Sequence, residues 1–535
     1  MRRAGVAALV LATTLGVAAA PQSRLPFDSG TRARAANGID ELVFARLKAL
    51  NIAPANVASD AVFVRRAYLD VIGTLPTAQE ARDFIADPAP AKRAALIDRL
   101  LDRPEFADYR AMKWSDILRV KSEFPINLWP NAVQAYDRWI RASIRDNVSY
   151  DRFVRALLTS SGSNFRVAPV NFYRALSSKD PRTIASAVAL TFMGAWTDAW
   201  PKDRLATMAA FFSQVGYKYT GEWKEEIVFF DPGKTPDASA GIPGPPKTFP
   251  DGTPATVAAG QDPREAFANW LVTPANPWFA RAEVNRIWYW LLGRGVIQEP
   301  DDIRPDNPPS NPELLAYLEK AFAASKFDVK VVYRLILNST TYQLSPVMAH
   351  RSPAAEQNFA CAMLKPLDAE VLIDALNQIT GGTEQYQSAT PEPFTFIPPE
   401  QRSIALSDGS ITSSFLETFG RPPRDSGLAS ERGTTPSAAQ RLQLLNGGDV
   451  QRKILQGPKM QALLGSGGPA GGQQVLTNLY LTILSRYPTD EEVRAVGAYI
   501  QTAGGGPQAA PAVRRQAALD VAWALINSTE FRYRH

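Results

Sequence analysis

Four tryptophans (Trp270, Trp278, Trp288 and Trp290) fall within 21 residues of the stretch from Asp262 to Phe322, more than one amphipathic stripe can hide. The surrounding pattern is helical. Asp262 stands as an N-cap, Pro263 at the first helical position, and Glu265 three residues on, as in a capping box. That helix is expected to stop where Thr273-Pro274 turns the chain, because the residue before proline avoids the helical region. A second helix from about Trp278 puts Phe279, Ala282, Ile287, Trp290 and Leu291 near one face, and Gly293 with Gly295 ends it. Indoles on more than one side require cover from several directions. The chain is therefore expected to wrap other helices around this one.

It has the length to do so. At 535 residues it exceeds one ordinary core, and 45% hydrophobic with 21% charged residues describes a folded protein rather than a disordered one. Helical periodicity dominates. Ile39, Leu42, Val43, Leu47 and Leu50 form one stripe with Asp40, Glu41, Arg46 and Lys48 off it. Thr77 and Glu80 make a capping box. Strand-like alternation is scarce, with EIVFF at 226–230 the clearest case. Residues 232–261 turn to Pro, Gly, Thr and Asp and read as a connector. The expected fold class is mainly α and multi-helical, with two helical domains, 38–231 and 262–535, joined by that Pro/Gly-rich connector.

A phrase recurs. Tyr68-Leu69 with Pro76-Thr77-x-x-Glu80-x-Arg82 returns as Tyr480-Leu481 with Pro488-Thr489-x-x-Glu492-x-Arg494. Each is followed by a helix ending in a related run, LLDRPEF at 100–106 and LINSTEF at 525–531, and LILNSTTY at 335–342 is a third relative. The pattern predicts a duplicated helical unit whose last turn folds an aromatic residue back onto the core.

Residues 1–20 carry Arg2 and Arg3, an apolar run and small residues through Ala20, as a secretory signal peptide does. Export to the periplasm or cell surface is expected, with no membrane span in the mature chain because no second long apolar run occurs. Removing Arg2 and Arg3 takes the formal charge from +5 to +3, which gives no electrostatic case for nucleic acid. Cys361 is the single cysteine, so no intramolecular disulfide can form.

The residue inventory narrows the chemistry. Two histidines, His350 and His535, and one cysteine do not supply the usual zinc or haem ligands, so no cofactor is expected. No nucleophile elbow accompanies either histidine. Gly233-Lys234-Thr235 resembles the end of a phosphate loop, but Val228 stands where its first glycine belongs. Two polar clusters are left. Asp301, Asp302 and Asp306 share a proline-rich loop after the Trp-rich helix. They read as turn and cap residues, with calcium ligation or a catalytic pair Asp301/Asp302 as alternatives, and Ser310-x-x-Glu313 beside them reads as a capping box. The second cluster, FGRPPRDSGLASERG, brings Arg421, Arg424 and Arg432 into a rigid turn, either as an ion-pair lock or as a binding site for carboxylate, sulfate or phosphate. Both clusters are flanked by apolar residues, so they are expected to meet and neutralise one another.

Several phrases together resemble known domains. RRAYLDVIGTLPTAQE, KWSDILR and SGSNFRVAPVNFYRA resemble domain of unknown function 1549. NPWFARAEVNRIWYWLLGRGVI, EPDDIRPDNPPSNPELLAYLEKAF, FGRPPRDSGLASERG and WALINSTEF resemble domain of unknown function 1553. The pair is typical of planctomycete-type secreted proteins, and the resemblance implies export and association with cytochrome-c-like modules, without an assigned activity. Many such proteins carry Cys-x-x-Cys-His where TDAWPKD, residues 197–203, stands here, so this chain cannot form that site. The expected function is a non-catalytic binding or assembly protein outside the cytoplasm, with an extracytoplasmic protein or glycan as partner. The alternative is an extracellular polymer hydrolase using a carboxylate pair.

Overall fold

The structure, a computed structural model, describes residues 26–236, 241–242, 244–391, 394–465, 471–502 and 510–535. The segment read as a signal peptide lies outside them. The fold is mainly α-helical, and local signals set most helix ends. Ser59 caps helix Asp60–Ile72 and Gly73, at φ 58°, stops it. Thr77 and Glu80 close the expected capping box on helix Ala78–Ala86. Asp262 caps helix Pro263–Leu271, but its side chain is held by Arg264 rather than by Glu265. Helix Pro312–Ala324 is capped by Asn311 and not by Ser310, whose hydroxyl donates to the Val296 carbonyl instead.

The Trp-rich helix, Phe279–Leu292, is central as its composition requires. Every residue of it except Arg281 and Tyr289 is buried, and Gly293 ends it at φ 83°. Trp288 is fully buried and meets Phe359 edge to face at 5.1 Å. Trp270 and Trp278 are half-buried and pack on the same core. The EIVFF segment forms strand Glu226–Phe230, the middle of a three-stranded antiparallel sheet between Gly162–Ser163 and Val215–Tyr219.

Two apolar cores organise the chain. The first takes side chains from Ile39 to Ala360, on both sides of segment 232–261, whose Phe249 stacks between Phe211 and Trp270. The second is built from Leu367 to Phe531 together with Leu69, Leu75, Tyr109 and Met112. Helices Asp60–Ile72 and Pro104–Ile117 thus feed both cores, one with Phe63 and Trp114, the other with Leu69 and Met112.

Polar staples fix this arrangement. Asp40, off the apolar stripe by sequence, is fully buried. It accepts from the N–H groups of Ala36 at 2.9 Å, Thr340 at 2.9 Å and Thr341 at 2.8 Å, so its burial is satisfied at a distance in sequence. The recurring Asn-Ser-Thr phrases also share one geometry. Ser339 Oγ donates to the Ile336 carbonyl and accepts from the Tyr342 N–H, and Ser528 Oγ does the same with Leu525 and Phe531. Each turn delivers a buried aromatic, Tyr342 or Phe531. Two adjacent buried arginines receive them: Arg66 donates to the Tyr342 carbonyl, and Arg65 to those of Phe531 at 3.0 Å and Ile483 at 2.9 Å.

The duplicated units agree in chemistry while their arginines come from different places in sequence. In the first, Arg103 lies over Tyr68 and pairs with Glu80 and Glu105. In the second, Arg486 lies over Tyr480 and pairs with Glu492 and Glu530, both at 2.7 Å. The capping glutamate, the tyrosine and the glutamate before the folded-back phenylalanine match; the cation that joins them does not.

Arg65→Met should strand two buried carbonyls and cost about 3 kcal/mol in urea unfolding, since each buried acceptor left unpaired costs roughly 1–3 kcal/mol. A loss below about 1 kcal/mol, the range of an exposed ion pair, would show that Arg65 does not hold these turns.

Candidate functional site

The segment FGRPPRDSGLASERG folds as a buried ion-pair cluster against helices Pro104–Ile117 and Ala369–Thr380. Arg424, at φ 64° and 1% exposed, donates to Asp116 at 3.0 Å and to the carbonyls of Val120 and Ser407. Arg432 spans Asp116 at 2.7 Å and Glu370 at 2.6 Å. Arg421 lies 3.3 Å from Glu370 and donates to the carbonyls of Asp408 and Ile411. Lys113 and the Tyr109 hydroxyl both donate to Asp368, at 2.6 and 2.7 Å. The path of the segment needs glycine at Gly420, where φ is 83° and a Cβ would come within 2.7 Å of the Gly433 backbone.

The electrostatics follow from burial and pairing. Burial alone would raise the Asp368 carboxyl, but Lys113 and Arg432 outweigh it and hold this group well below the usual carboxylate range. Glu370 is lowered in the same way by Arg432 and Arg421, against its burial. Burial pushes the Lys113 ammonium down to about 8 in spite of Asp368. It also brings Arg421 to about 10, helped by the neighbouring Arg424.

The Asp301 loop reaches this segment, though not through the arginines. Asp301 is buried, pairs with Arg286 at 2.7 Å and accepts from the Ala429 N–H at 2.9 Å. Asp302 and Asp306 turn outward to Arg304, at 3.1 and 3.5 Å. The two clusters therefore touch through backbone, and the expected pairing of Asp301 or Asp302 with Arg421, Arg424 or Arg432 is replaced by Asp116, Asp368 and Glu370. Among the described residues no group of three His, Cys, Asp or Glu side chains is placed to hold a metal ion. His535 is buried, and burial with Arg65 nearby pushes its imidazole down to about 3. Cys361 is a buried free thiol.

Sequence reasoning missed the acidic half of the cluster. Asp116 lies in KWSDILR and Glu370 in LDAEVLIDAL, each on a helix otherwise rich in buried residues. A charge inside such a face was the available signal. Glu283 carried the same signal on the Trp-rich helix. It is fully buried, its oxygens lie 3.7 Å from Arg110 and 3.8 Å from Arg286, and neither makes a hydrogen bond. Burial raises its carboxyl to about 7, against the pull of both arginines.

The surface offers a different feature. Trp129 meets Phe394 at 5.4 Å and Trp223 at 6.5 Å, with Trp223 69% exposed and Phe124 and Phe396 exposed too. Lys224 lies over both indoles, at 5.9 and 5.5 Å. Trp129, at φ 75°, and Lys224, at φ 61°, both take a positive φ. Ser122 and Glu123 donate their N–H groups to Asp408 and Ser410. Elsewhere, an open polar cleft of about 380 Å³ includes Glu80, Asp374 and Glu384. Each of these carboxylates is engaged: Glu80 with Thr77 and Arg103, Asp374 with the Ser403 and Ile404 N–H groups, Glu384 with Lys453.

Residues 38–215 match the family model described as PSCyt2: Protein of unknown function (DUF1549). Residues 263–500 match PSD1: Protein of unknown function (DUF1553). No curated protein and no solved structure matches the chain.

In urea unfolding, Asp116→Asn and Arg424→Gln should each cost on the order of 3–5 kcal/mol, because each strands a buried charge. The double variant should fall short of their sum by roughly 1–3 kcal/mol, whereas Asp302→Asn should cost under about 1 kcal/mol. Additive losses would mean that Asp116 and Arg424 do not act together.

Glu283 gives a pH signature. Its folded value of about 7 exceeds the ordinary 4.5, so between those values the folded state holds more protons and stability falls as pH rises. Wild type should therefore lose stability relative to Glu283→Gln through that window, with a slope approaching about 1.4 kcal/mol per pH unit. Parallel profiles for the two proteins would refute the assignment.

Proposed function

We propose that this chain, which carries the DUF1549 and DUF1553 domains in tandem, is a non-catalytic binding or assembly protein acting outside the cytoplasm. The observation that carries the reading is that the sequence-predicted polar clusters are spent on internal pairing. Asp301, one of the two carboxylates of the alternative hydrolytic reading, is closed in by Arg286 and the Ala429 N–H, and Arg421, Arg424 and Arg432 are all buried. Hydrolysis by a carboxylate pair needs two accessible carboxyl groups about 5–10 Å apart, and this arrangement offers no such pair from the Asp301 loop.

Recognition then falls to the surface, where the aromatic platform of Trp129, Trp223 and Phe394 stands out. Exposed aromatic ring faces suit the apolar faces of sugar rings, so an extracytoplasmic glycan is the partner class we favour. The export segment at 1–20 and the lack, among the described residues, of any helix long and apolar enough to cross a membrane fit this setting.

The test is affinity electrophoresis against a panel of polysaccharides, using the wild-type chain and Trp223→Ala/Phe394→Ala. Retention by one class of glycan, reduced at least tenfold by the double substitution, is expected. Retention that ignores the substitution would remove the platform from the reading. Release of sugar products that Asp301→Asn abolishes would replace binding by hydrolysis.

A further inference from the structure

The open polar cleft of about 380 Å³ takes its walls from both family-matched segments. Thr74, Glu80 and Arg103 belong to residues 38–215, and Asn377, Gln378 and Lys459 to residues 263–500. Small-molecule sites favour such boundaries and run to roughly 300–1,000 Å³. Its ions cancel. Glu80 pairs with Arg103, Asp374 with Arg402 and Glu384 with Lys453. The remaining two, Glu400 and Lys459, are exposed and opposite in sign. The cleft therefore has no surplus charge for an ionic ligand. Among the described residues that line it none is aromatic, so a nucleobase would find no ring to stack on.

What it does present is a set of oriented neutral groups. Asn377, Gln378 and Gln401 are half-buried, and each amide is fixed by one hydrogen bond or more. Lys453 donates to Asn377 Oδ1 at 2.8 Å, which leaves Asn377 Nδ2 as a donor. Gln378 donates to the Leu75 carbonyl at 2.9 Å and Gln401 to the Ala405 carbonyl at 3.0 Å, which leaves Oε1 of each as an acceptor. The exposed Thr383 hydroxyl can serve either way. None of these free atoms has a partner among the described residues, and none is closed off from solvent. A carboxylate only accepts and an ammonium only donates, whereas a hydroxyl does both. Donors and acceptors fixed in one cleft therefore match a ligand with several hydroxyl groups.

We propose that this cleft binds a neutral mono- or disaccharide, its hydroxyls accepting from Asn377 Nδ2 and donating to Gln378 Oε1 and Gln401 Oε1. The site shares no residue with the Trp129 platform, and the proposal stands whether or not the platform binds a glycan.

Isothermal titration calorimetry of the purified chain tests it, with glucose, galactose, N-acetylglucosamine, maltose and cellobiose as neutral sugars. Glucuronate, glucosamine and glycine serve as the anionic, cationic and zwitterionic counterparts. One saturable site for a neutral sugar, at least tenfold tighter than for the three charged compounds, is expected. Asn377→Asp keeps the shape and the Lys453 contact but turns the free donor into an acceptor, and should weaken that binding at least tenfold. Thr383→Trp, at an exposed position, should fill the cleft and give the same loss with an unchanged unfolding temperature. Trp223→Ala/Phe394→Ala should leave the titration as it was, which separates this site from the platform. Tighter binding of a charged compound, binding that survives both cleft variants, loss of binding in the platform variant, or no saturable binding in the wild-type chain would each overturn the proposal.

Discussion

A single carboxylate, Asp116, accepts from two buried guanidiniums, Arg424 and Arg432, that lie 308 and 316 residues further along the chain. Taking such charges out of water costs several kcal/mol per ion, and the cost is recovered only when the geometry is good and the remaining donors are satisfied. Here they largely are. Arg424 also reaches the carbonyls of Val120 and Ser407, and Arg432 also reaches Glu370. The consequence is positional. Helices Pro104–Ile117 and Ala369–Thr380 and the proline-stiffened turn must stand in one relation, or a charge is left bare in the interior.

The same device recurs with carbonyl groups in place of carboxylates. Arg65 and Arg66 are adjacent on helix Asp60–Ile72, and each collects the main chain of one folded-back aromatic turn. An apolar core tolerates many arrangements of similar volume; a buried fork accepts few. The two cores share helices Asp60–Ile72 and Pro104–Ile117, and those helices also carry Arg65, Arg66, Arg110 and Asp116. Packing and polar pairing thus constrain the same elements. The exposed pairs, such as Arg304 with Asp302, lie where screening leaves them worth under about 1 kcal/mol, and they do not define the fold.

This division bears on function. The charged residues that looked most like chemistry are consumed by architecture, while the exposed aromatic platform contributes nothing to either core. Trp223 stands in solvent beside Trp129, and exposed apolar side chains grouped in this way suit contact with a partner.

What the sequence determined by itself was local. Caps at Thr77, Asp262 and Ser528, stops at Gly73 and Gly293, and the crowding of indoles in Phe279–Leu292 all act within a few residues, and the helices and the buried central one follow from them. The duplication was legible too, because Tyr68 and Tyr480 stand in the same local phrases. Tertiary structure alone decided the partners. Nothing near Asp116 in sequence announces Arg424, and the opposite-charge rule that would pair Arg424 with the Asp301 loop cannot rank carboxylates by distance. Asp40 was hidden for a related reason: periodicity sorts apolar from polar faces, but a polar face is buried where a remote segment brings hydrogen-bond donors to it, as Thr340 and Thr341 do. Helix signals act over one or two turns; charge pairing acts across whatever distance in sequence the packed core closes.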